Sequence, residues 1–263
     1  MSFIPLTNIA TFKFHGADTE RYLNGQVTQN VSKATHTEAI STCITNAKGK
    51  LDGFGYLRRQ DDHILLDIPL ALRESLYLRL DKYIIADDVT LEDVTDDYTW
   101  YHVLDPNPAT ASWTCNRFGT KGYDTLNTPI GTELTTSELE KLRIINCIPQ
   151  WGAELNEDIL PPEALLEEKA ISYHKGCYIG QEVISRIRSA GKINKRLTGF
   201  ELTTSLELPF HIPNPQDPEG KPAGIITSST PTENGFLGLG YLNKKWFNHT
   251  AFKSDTITLK VRQ

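Results

Sequence analysis

Short runs in which apolar and polar residues alternate recur along this chain, and helical stretches separate them without a regular strand–helix–strand repeat. Alternation with a period of two is typical of strands that have one buried face. Strands are predicted at residues 9–14, 39–45, 54–59, 63–68, 83–85, 89–91, 197–202, 224–229, 237–242 and 256–261. Helices are predicted at residues 19–24, with Asp18 as the N-cap, and at 70–80, with Leu72, Leu76 and Leu80 on one stripe. A further helix is predicted at 182–189 and stops at Gly191. This pattern predicts an α+β fold rather than repeated βαβ units.

Composition excludes several classes of protein. A chain of 263 residues with 39% hydrophobic content can bury a large core, and its length predicts two or three compact units. The net charge of −6 argues against a protein that coats nucleic acid. The first residues show no signal-peptide pattern, and no apolar stretch is long enough to cross a bilayer, so no membrane association is predicted.

The cysteines indicate a reducing environment. Cys43, Cys115, Cys147 and Cys177 are never closer than thirty positions in the sequence and form no Cys-x-x-Cys pair. Paired local zinc ligands are therefore absent, and the spacing suggests no disulfide framework. We predict a cytoplasmic protein without a metal site.

The octapeptide Lys-Gly-Cys-Tyr-Ile-Gly-Gln-Glu at residues 175–182 is the strongest candidate for chemistry. Two glycines bracket Cys177 and allow a tight turn, and an amphipathic helix follows directly. The partial positive charge at a helix N-terminus, together with Lys175, favours a thiolate. The alternative is a small buried cysteine that only packs against its neighbours.

The octapeptide resembles the motif of the YgfZ family, folate-binding proteins related to the T-protein, the aminomethyltransferase of the glycine cleavage system. Further segments agree with this resemblance: Gly-Ala-Asp at 16–18, Leu-Asn-Gly-Gln-Val-Thr at 23–28 and Ala-Lys-Gly-Lys at 47–50. The glycine-rich strands after residue 224 are similar to those that close T-protein-like chains. The resemblance is weak between residues 51 and 137.

The resemblance implies two ferredoxin-like units and a C-terminal β-barrel arranged as a T-protein-like ring, with folate in the central channel. One α+β domain would be discontinuous and comprise residues 1–50 and 138–194. Residues 51–137 would form the second α+β domain, and residues 195–263 the barrel.

The implied function is folate-dependent assembly or repair of iron–sulfur enzymes, including enzymes that modify tRNA, with tetrahydrofolate or a one-carbon derivative as cofactor. Cys177 would be the catalytic residue, either as a nucleophile, as a redox thiol or as a transient iron ligand. The predicted folate-binding residues are Asn24, Gln26, Arg143, Lys175, Tyr178, Gln181 and Glu182. We expect the sulfur of Cys177 to lie within reach of a pterin-sized cavity.

The alternative function is the T-protein reaction, in which a one-carbon unit passes to tetrahydrofolate. Relatives that carry out this reaction commonly have Arg-x-Glu, whose carboxylate can accept hydrogen bonds from the pterin. The resemblance places Arg143 on a strand, but here two isoleucines follow it. The chain also has no clear equivalent of the aspartate that the reaction uses. The sequence therefore favours the iron–sulfur role.

Residues 175–200 carry six Lys and Arg residues and one acid, Glu182. A basic segment in an acidic protein can attract the glutamyl tail of folate, an RNA phosphate or an acidic protein. The alternative is a solvated helix face on which Glu182 pairs with Arg186. Direct binding of nucleic acid has only this segment in its favour.

Overall fold

The computed structural model describes residues 1–217, 220–253 and 257–262. The α-helices of the described residues are α1 (Thr19–Gln26), α2 (Arg73–Asp81), α3 (Thr136–Ile145), α4 (Glu167–Ala170) and α5 (Gln181–Ala190). The strands are β1 (Ser2–Pro5), β2 (Ile9–His15), β3 (Ile40–Thr45), β4 (Leu51–Arg59), β5 (Ile64–Pro69), β6 (Thr90–Asp93), β7 (Tyr101–Val103), β8 (Ser112–Cys115), β9 (Gly122–Thr125), β10 (Thr132–Glu133), β11 (Lys195–Leu202), β12 (Phe210–Ile212), β13 (Gly224–Thr232), β14 (Gly235–Asn243), β15 (Ala251–Lys253) and β16 (Thr258–Val261).

The first sheet has the strand order β3-β4-β5-β2-β6, and all its neighbouring pairs are antiparallel. Its buried apolar side chains, among them Phe12 and Leu66, form one core with Leu23 of α1 and Leu76 of α2. The predicted leucine stripe of α2 is thus confirmed as a buried face. The removal of these side chains from water is the main force that holds the two helices on the sheet.

The second sheet has the order β10-β1-β7-β9-β8 and adjoins the first. Trp100 and Trp113 pack in one cluster with Leu65 of the first sheet. Glu38 forms a parallel bridge with Thr114 at the same boundary. The two sheets therefore share buried side chains and backbone contacts.

The third sheet is antiparallel, curled and six-stranded, with the order β12-β13-β14-β11-β16-β15. Its core contains Phe200, Trp246 and Phe252. The last strand was predicted at residues 256–261, and β16 confirms 258–261, whereas Thr256 lies outside the described residues. The α+β class is confirmed, while the two ferredoxin-like units, the closed barrel and the three-domain division stay predictions. The first sheet runs across the predicted boundary at residue 50, because β3 and β4 are paired.

Local predictions at three places need correction. Asp18 precedes α1 but does not cap it, because its carboxylate accepts a hydrogen bond from the backbone N–H of Asp88 at 2.9 Å. Residues 83–85 form a turn after α2 instead of a strand. Arg143, which the resemblance placed on a strand, lies in α3. A capping box between Thr135 and Glu138 starts that helix.

Candidate functional site

The side chain of Lys175 ties the octapeptide to the end of α1. Its Nζ donates hydrogen bonds to the carbonyl oxygens of Asn24 and Val27, both at 2.8 Å, and of Gln29 at 2.9 Å. Carbonyl groups at the end of a helix lack helical partners and carry partial negative charge, so they attract a cation. We call Lys175 and these three carbonyls the Lys175 clamp. It brings together two motifs that are about 150 residues apart in the sequence.

The clamp holds its positive charge without an acidic partner among the described residues. Burial lowers the pKa of Lys175 to about 8. The ammonium also lies 5.3 Å from the centre of the Tyr178 ring. Burial raises the pKa of the Tyr178 phenol, whose hydroxyl has no hydrogen-bond partner within the described part of the chain. Three predicted site residues, Asn24, Lys175 and Tyr178, therefore lie together.

Two glycines let the turn at residues 46–50 lie against the start of α5. Gly180 has a φ of +88°, and a Cβ there would lie 2.4 Å from the carbonyl oxygen of Asn46. Gly49 has a φ of +72°, and its Cβ would lie 3.0 Å from that of Val183. The hydroxyl of Thr45 donates to the carbonyl of Ile179 at 2.5 Å. The Ala-Lys-Gly-Lys motif and the octapeptide thus fix each other's backbone.

Cys177 is exposed in the loop that precedes α5 and is a free thiol. Gly180, the N-cap of α5, stands three positions further along the chain. The alternative of a buried packing cysteine is therefore wrong for this position. Cys43, by contrast, is fully buried, and burial raises the pKa of its thiol to about 12.

The remaining predicted site residues have diverse surroundings. The side-chain oxygen of Asn24 accepts from the N–H of Val31 at 3.1 Å, and that of Gln26 accepts from Arg79 at 3.0 Å. Gln181 is half-buried and Glu182 exposed, both in the first turn of α5. The predicted alternative pairing of Glu182 with Arg186 is not found among the ion pairs of the described residues.

Arg143 takes no part in the Lys175 clamp and is paired with two acids, Glu140 and Glu154. It pairs with Glu140 at 2.5 Å and with the buried Glu154 at 2.9 Å, and it donates to the hydroxyl of Ser228 at 2.6 Å. These contacts fasten α3 to β13 of the third sheet. In this conformation, the guanidinium of Arg143 serves the contact between α3 and the third sheet.

A cavity of about 350 Å³ lies between the edge of the first sheet and the loops that surround it. Phe54 and Tyr56 of β4 supply aromatic surface, and Gln29 also lines the cavity. The backbone carbonyl of Gln29 belongs to the Lys175 clamp, so the clamp and the cavity share this residue. Further polar lining comes from Lys33, Glu38, Ser41, Asn116, Arg117, Glu168 and Lys169.

None of the predicted site residues lines this cavity. Cys177 is not among the lining residues either, although the loop that holds it is attached to Gln29. That its sulfur lies within reach of a pterin-sized cavity stays a prediction. Sequence reasoning missed the cavity because its lining comes from segments far apart in the chain. Gln29 could have indicated the cavity from the sequence, because it directly follows the Gln-Val-Thr motif at residues 26–28.

Beside the cavity lies a buried group of charged residues, which we call the arginine–aspartate cluster: Arg58, Asp67, His102, Arg117 and Asp124. Arg58 pairs with Asp67 at 2.8 Å and also with Asp124. Arg117 binds the same two aspartates, at 2.7 and 2.8 Å. Burial alone would raise the pKa of Asp124, but Arg117 and Arg58 hold it well below its ordinary value.

Potential metal ligands meet in this cluster. Donor atoms of His102, Cys115 and Asp124 lie within 4.8 Å of one another. However, the carboxylate of Asp124 already accepts from His102 at 2.7 Å and from both guanidinium groups. Two adjacent guanidinium charges oppose the binding of a cation. The cluster is therefore best explained as an internal joint between the first and second sheets.

Comparison of the structure with solved structures shows the class of fold. Glycine cleavage system aminomethyltransferase T from Bartonella henselae matches with a TM-score of 0.78, 12% sequence identity, and coverage of 100% of this chain and 85% of that chain. At this identity the likeness concerns the fold alone. The chain thus has the fold of the T-protein class.

Sequence comparison shows a narrower similarity within that class. The tRNA-modifying protein YgfZ of Aliivibrio fischeri strain MJ11 is 29% identical over 217 residues, which cover 73% of this chain and 68% of the relative. The mitochondrial iron–sulfur cluster assembly factor IBA57 homolog of Aspergillus oryzae is 25% identical and matches 76% of this chain, but only 56% of its own length is covered. No protein-family profile matches the chain. The resemblance is confirmed: the chain is similar in sequence to YgfZ proteins and IBA57 homologs and has a T-protein-like fold.

The relatives differ in where they act, since the IBA57 homologs are named mitochondrial. In the described part of the chain, the helices are too short or too polar to cross a lipid bilayer. The cytoplasmic location stays a prediction.

Proposed function

We propose that this protein binds tetrahydrofolate, or a one-carbon derivative, in the 350 Å³ cavity and supports the assembly or repair of iron–sulfur enzymes, and thereby tRNA modification. The observation that carries this proposal is the composition of the cavity together with its link to the octapeptide. Its volume lies within the range of small-molecule sites. Phe54 and Tyr56 offer aromatic surface for a flat pterin ring.

The polar lining of the cavity suits the hydrogen-bonding and charged groups of a folate. The carboxylates of Glu38 and Glu168 can accept hydrogen bonds from the N–H groups of the pterin, and the amide of Gln29 offers both an acceptor and a donor. The ammonium groups of Lys33 and Lys169 can pair with the glutamyl carboxylates of the folate. Asn24, Gln26, Arg143, Lys175, Tyr178, Gln181 and Glu182 stay predicted folate-site residues. Lys175 would act on the cavity through the carbonyl of Gln29.

The iron–sulfur role is supported by the names of the relatives and by the exposure of Cys177. An exposed sulfur can reach a partner protein, whereas a sulfur inside a closed cavity cannot. We propose that Cys177 is the reactive group of this site and that iron–sulfur enzymes approach the loop that carries it. The client enzyme would thus meet the protein next to the folate cavity.

The folate proposal can be tested by anaerobic calorimetric titration with tetrahydrofolate. Asn116 is exposed and lines the cavity, so an Asn116→Trp substitution should fill the space and weaken binding at least tenfold. Asn127 is also exposed but does not line the cavity, and Asn127→Trp is the matched control. Equal affinity in both variants would overturn the assignment of the cavity. Formation of methylene-tetrahydrofolate from an aminomethyl donor would instead favour the transferase function.

A further inference from the structure

The chain has a strongly basic face that the proposed folate site does not use. It consists of residues 186–196 and 241–247, two segments that contain no Asp or Glu. Their cations are Arg186, Arg188, Lys192, Lys195, Arg196, Lys244 and Lys245. We call these seven residues the basic face. The whole chain, by contrast, has a net charge of −6.

The fold brings the two segments together. Helix α5 ends at Gly191, whose φ of +59° turns the chain towards β11. Strand β11 pairs with β14, and Lys195 stands opposite Asn243. The N–H of Lys244 donates to the carbonyl of Asn194 at 2.8 Å. The end of α5, the start of β11 and the end of β14 therefore present their cations in one region.

These cations are not neutralised by neighbouring acids. Within the described ranges, none of the seven takes part in a salt bridge. Elsewhere on the surface, Arg21 lies between Asp18 and Asp87, and Arg73 between Asp93 and Asp96. The protein thus pairs exposed arginines with acids in those places but leaves the basic face uncompensated.

Lys195 acts on the pKa of two acids, Asp158 and Glu163, but both acids have other partners. Asp158 is bound to Lys50 at 2.7 Å, and Lys50 and, more weakly, Lys195 lower the pKa of Asp158. Glu163 is buried and accepts a hydrogen bond from the N–H of Leu160 at 3.3 Å. Neither acid covers the exposed Lys192, Lys244 or Lys245.

Aromatic rings lie beneath four of the cations. The guanidinium of Arg188 lies 3.8 Å from the centre of the Tyr173 ring, and that of Arg196 lies 4.7 Å from Phe247. The ammonium groups of Lys195 and Lys245 each lie 5.0 Å from a ring, those of Tyr241 and Trp246. Stacking holds a guanidinium by its face and leaves its N–H edge available for phosphate oxygens.

We propose that the basic face binds the phosphate backbone of a nucleic acid. None of its residues lines the 350 Å³ cavity, so the arrangement does not resemble an enclosed site for a small anion. Separate cations along a helix end and two strand ends match the repeated charges of a polyanion. Arginines stacked on rings also offer planar surfaces against which unpaired bases pack. This inference does not depend on folate binding.

The test is fluorescence anisotropy of a labelled hairpin RNA, with a DNA hairpin of the same sequence in parallel, over a series of salt concentrations. The variant Lys192→Gln/Lys244→Gln/Lys245→Gln removes three exposed charges from the basic face. We expect at least a tenfold loss of affinity. The slope of log affinity against log salt should also fall by about 2, since each phosphate contact contributes roughly 0.7 to 0.9.

The matched control is Lys82→Gln/Lys121→Gln/Lys141→Gln, which removes three other exposed lysines and gives the same net charge. It should bind like the wild type. Equal losses in the two triple variants, or no salt-dependent binding by the wild type, would overturn the proposal. Competition by a glutamate polymer or by polyglutamyl folate at lower concentrations than unlabelled RNA would overturn it as well. The same variants are also titrated with tetrahydrofolate, so that a loss of nucleic-acid binding can be told apart from a loss of folate binding.

Discussion

The arginine–aspartate cluster and the Lys175 clamp both place a cation inside the protein, but they surround it differently. Arg58 is fully buried and is bound by two carboxylates, Asp67 and Asp124. Lys175 is bound by three neutral carbonyl oxygens and, among the described residues, by no acid. Burial accordingly lowers the pKa of Lys175 to about 8, near physiological pH, whereas Arg58 keeps its charge.

The difference follows from what each cation connects. Asp67 belongs to β5 of the first sheet and Asp124 to β9 of the second, so Arg58 joins two sheets. Lys175 joins only a loop to the end of α1, and that loop carries the exposed Cys177. Ionic partners suit a permanent joint, because an unpaired buried charge is very costly. The neutral carbonyl partners of Lys175 hold the loop of the octapeptide more weakly.

The largest effect should come from removing an anion of the cluster. Asp124→Asn leaves the two buried guanidinium groups with one aspartate and should lower the free energy of unfolding by about 3 kcal/mol. Urea denaturation followed by circular dichroism measures this change. Asp96→Asn breaks an exposed pair with Arg73 and is the control, which should stay close to the wild type. If the two variants were equally stable, the buried ion pairs of the cluster would contribute no more to stability than the exposed pair does.

A smaller effect is expected at the Lys175 clamp. Lys175→Met keeps the length of the side chain but removes the donor for three carbonyls, and should cost about 2 kcal/mol. Hydrogen exchange should also become faster at residues 175–182 while the first sheet keeps its protection. Unchanged exchange in this loop would show that the clamp does not hold the octapeptide.

The backbone of the octapeptide allows a matched comparison of two glycines. Gly180→Ala places a Cβ against the carbonyl of Asn46 at a positive φ, and should lower the free energy of unfolding by about 1 to 2 kcal/mol. At Gly176, a Cβ would meet nothing within 4 Å, so Gly176→Ala should have little effect. Thermal unfolding of the two variants measures the difference. The same loss in both would contradict the tight contact at Gly180.

The pH dependence of stability should also distinguish the two sites, at opposite ends of the pH scale. The pKa of Asp124 is lowered on folding, so its contribution is present above the ordinary pKa of 3.8 and is lost as the pH falls below that value. The pKa of Lys175 is lowered from 10.5 to about 8, so burying its charge destabilises the protein below about 8 and no longer does so above 10.5. Lys175→Met should abolish the alkaline rise in stability, and denaturation at pH 7, 9 and 10.5 would check it.

The sequence predicted what depends on neighbours along the chain. The amphipathic pattern after residue 181 and the stop at Gly191 predicted α5, and alternation predicted most strands, because these signals are local. For Cys177 the octapeptide predicted either a reactive thiol or a buried packing cysteine, and the exposed position of the side chain excludes the second. The motifs around Asn24 and Lys50 indicated the resemblance to YgfZ proteins, which the relatives confirm.

The rest depended on contacts between distant residues. Arg58 and Asp124 are 66 positions apart, and no local pattern indicates that they meet. The cavity was missed for the same reason. The error at Arg143 was different, because Thr135 and Glu138 form a capping box that could have predicted α3 from the sequence. There, the resemblance to a strand in relatives overrode a local helix signal.

The central claim is that the exposed sulfur of Cys177 serves iron–sulfur enzymes beside a folate cavity. The most direct measurement is the activity of an iron–sulfur enzyme that modifies tRNA, in cells that lack this protein and carry the wild type or Cys177→Ser. Because the side chain is exposed, the variant should fold and accumulate normally. We expect activity no higher than in cells without the protein, at equal protein levels. Full restoration of activity by Cys177→Ser would contradict the account.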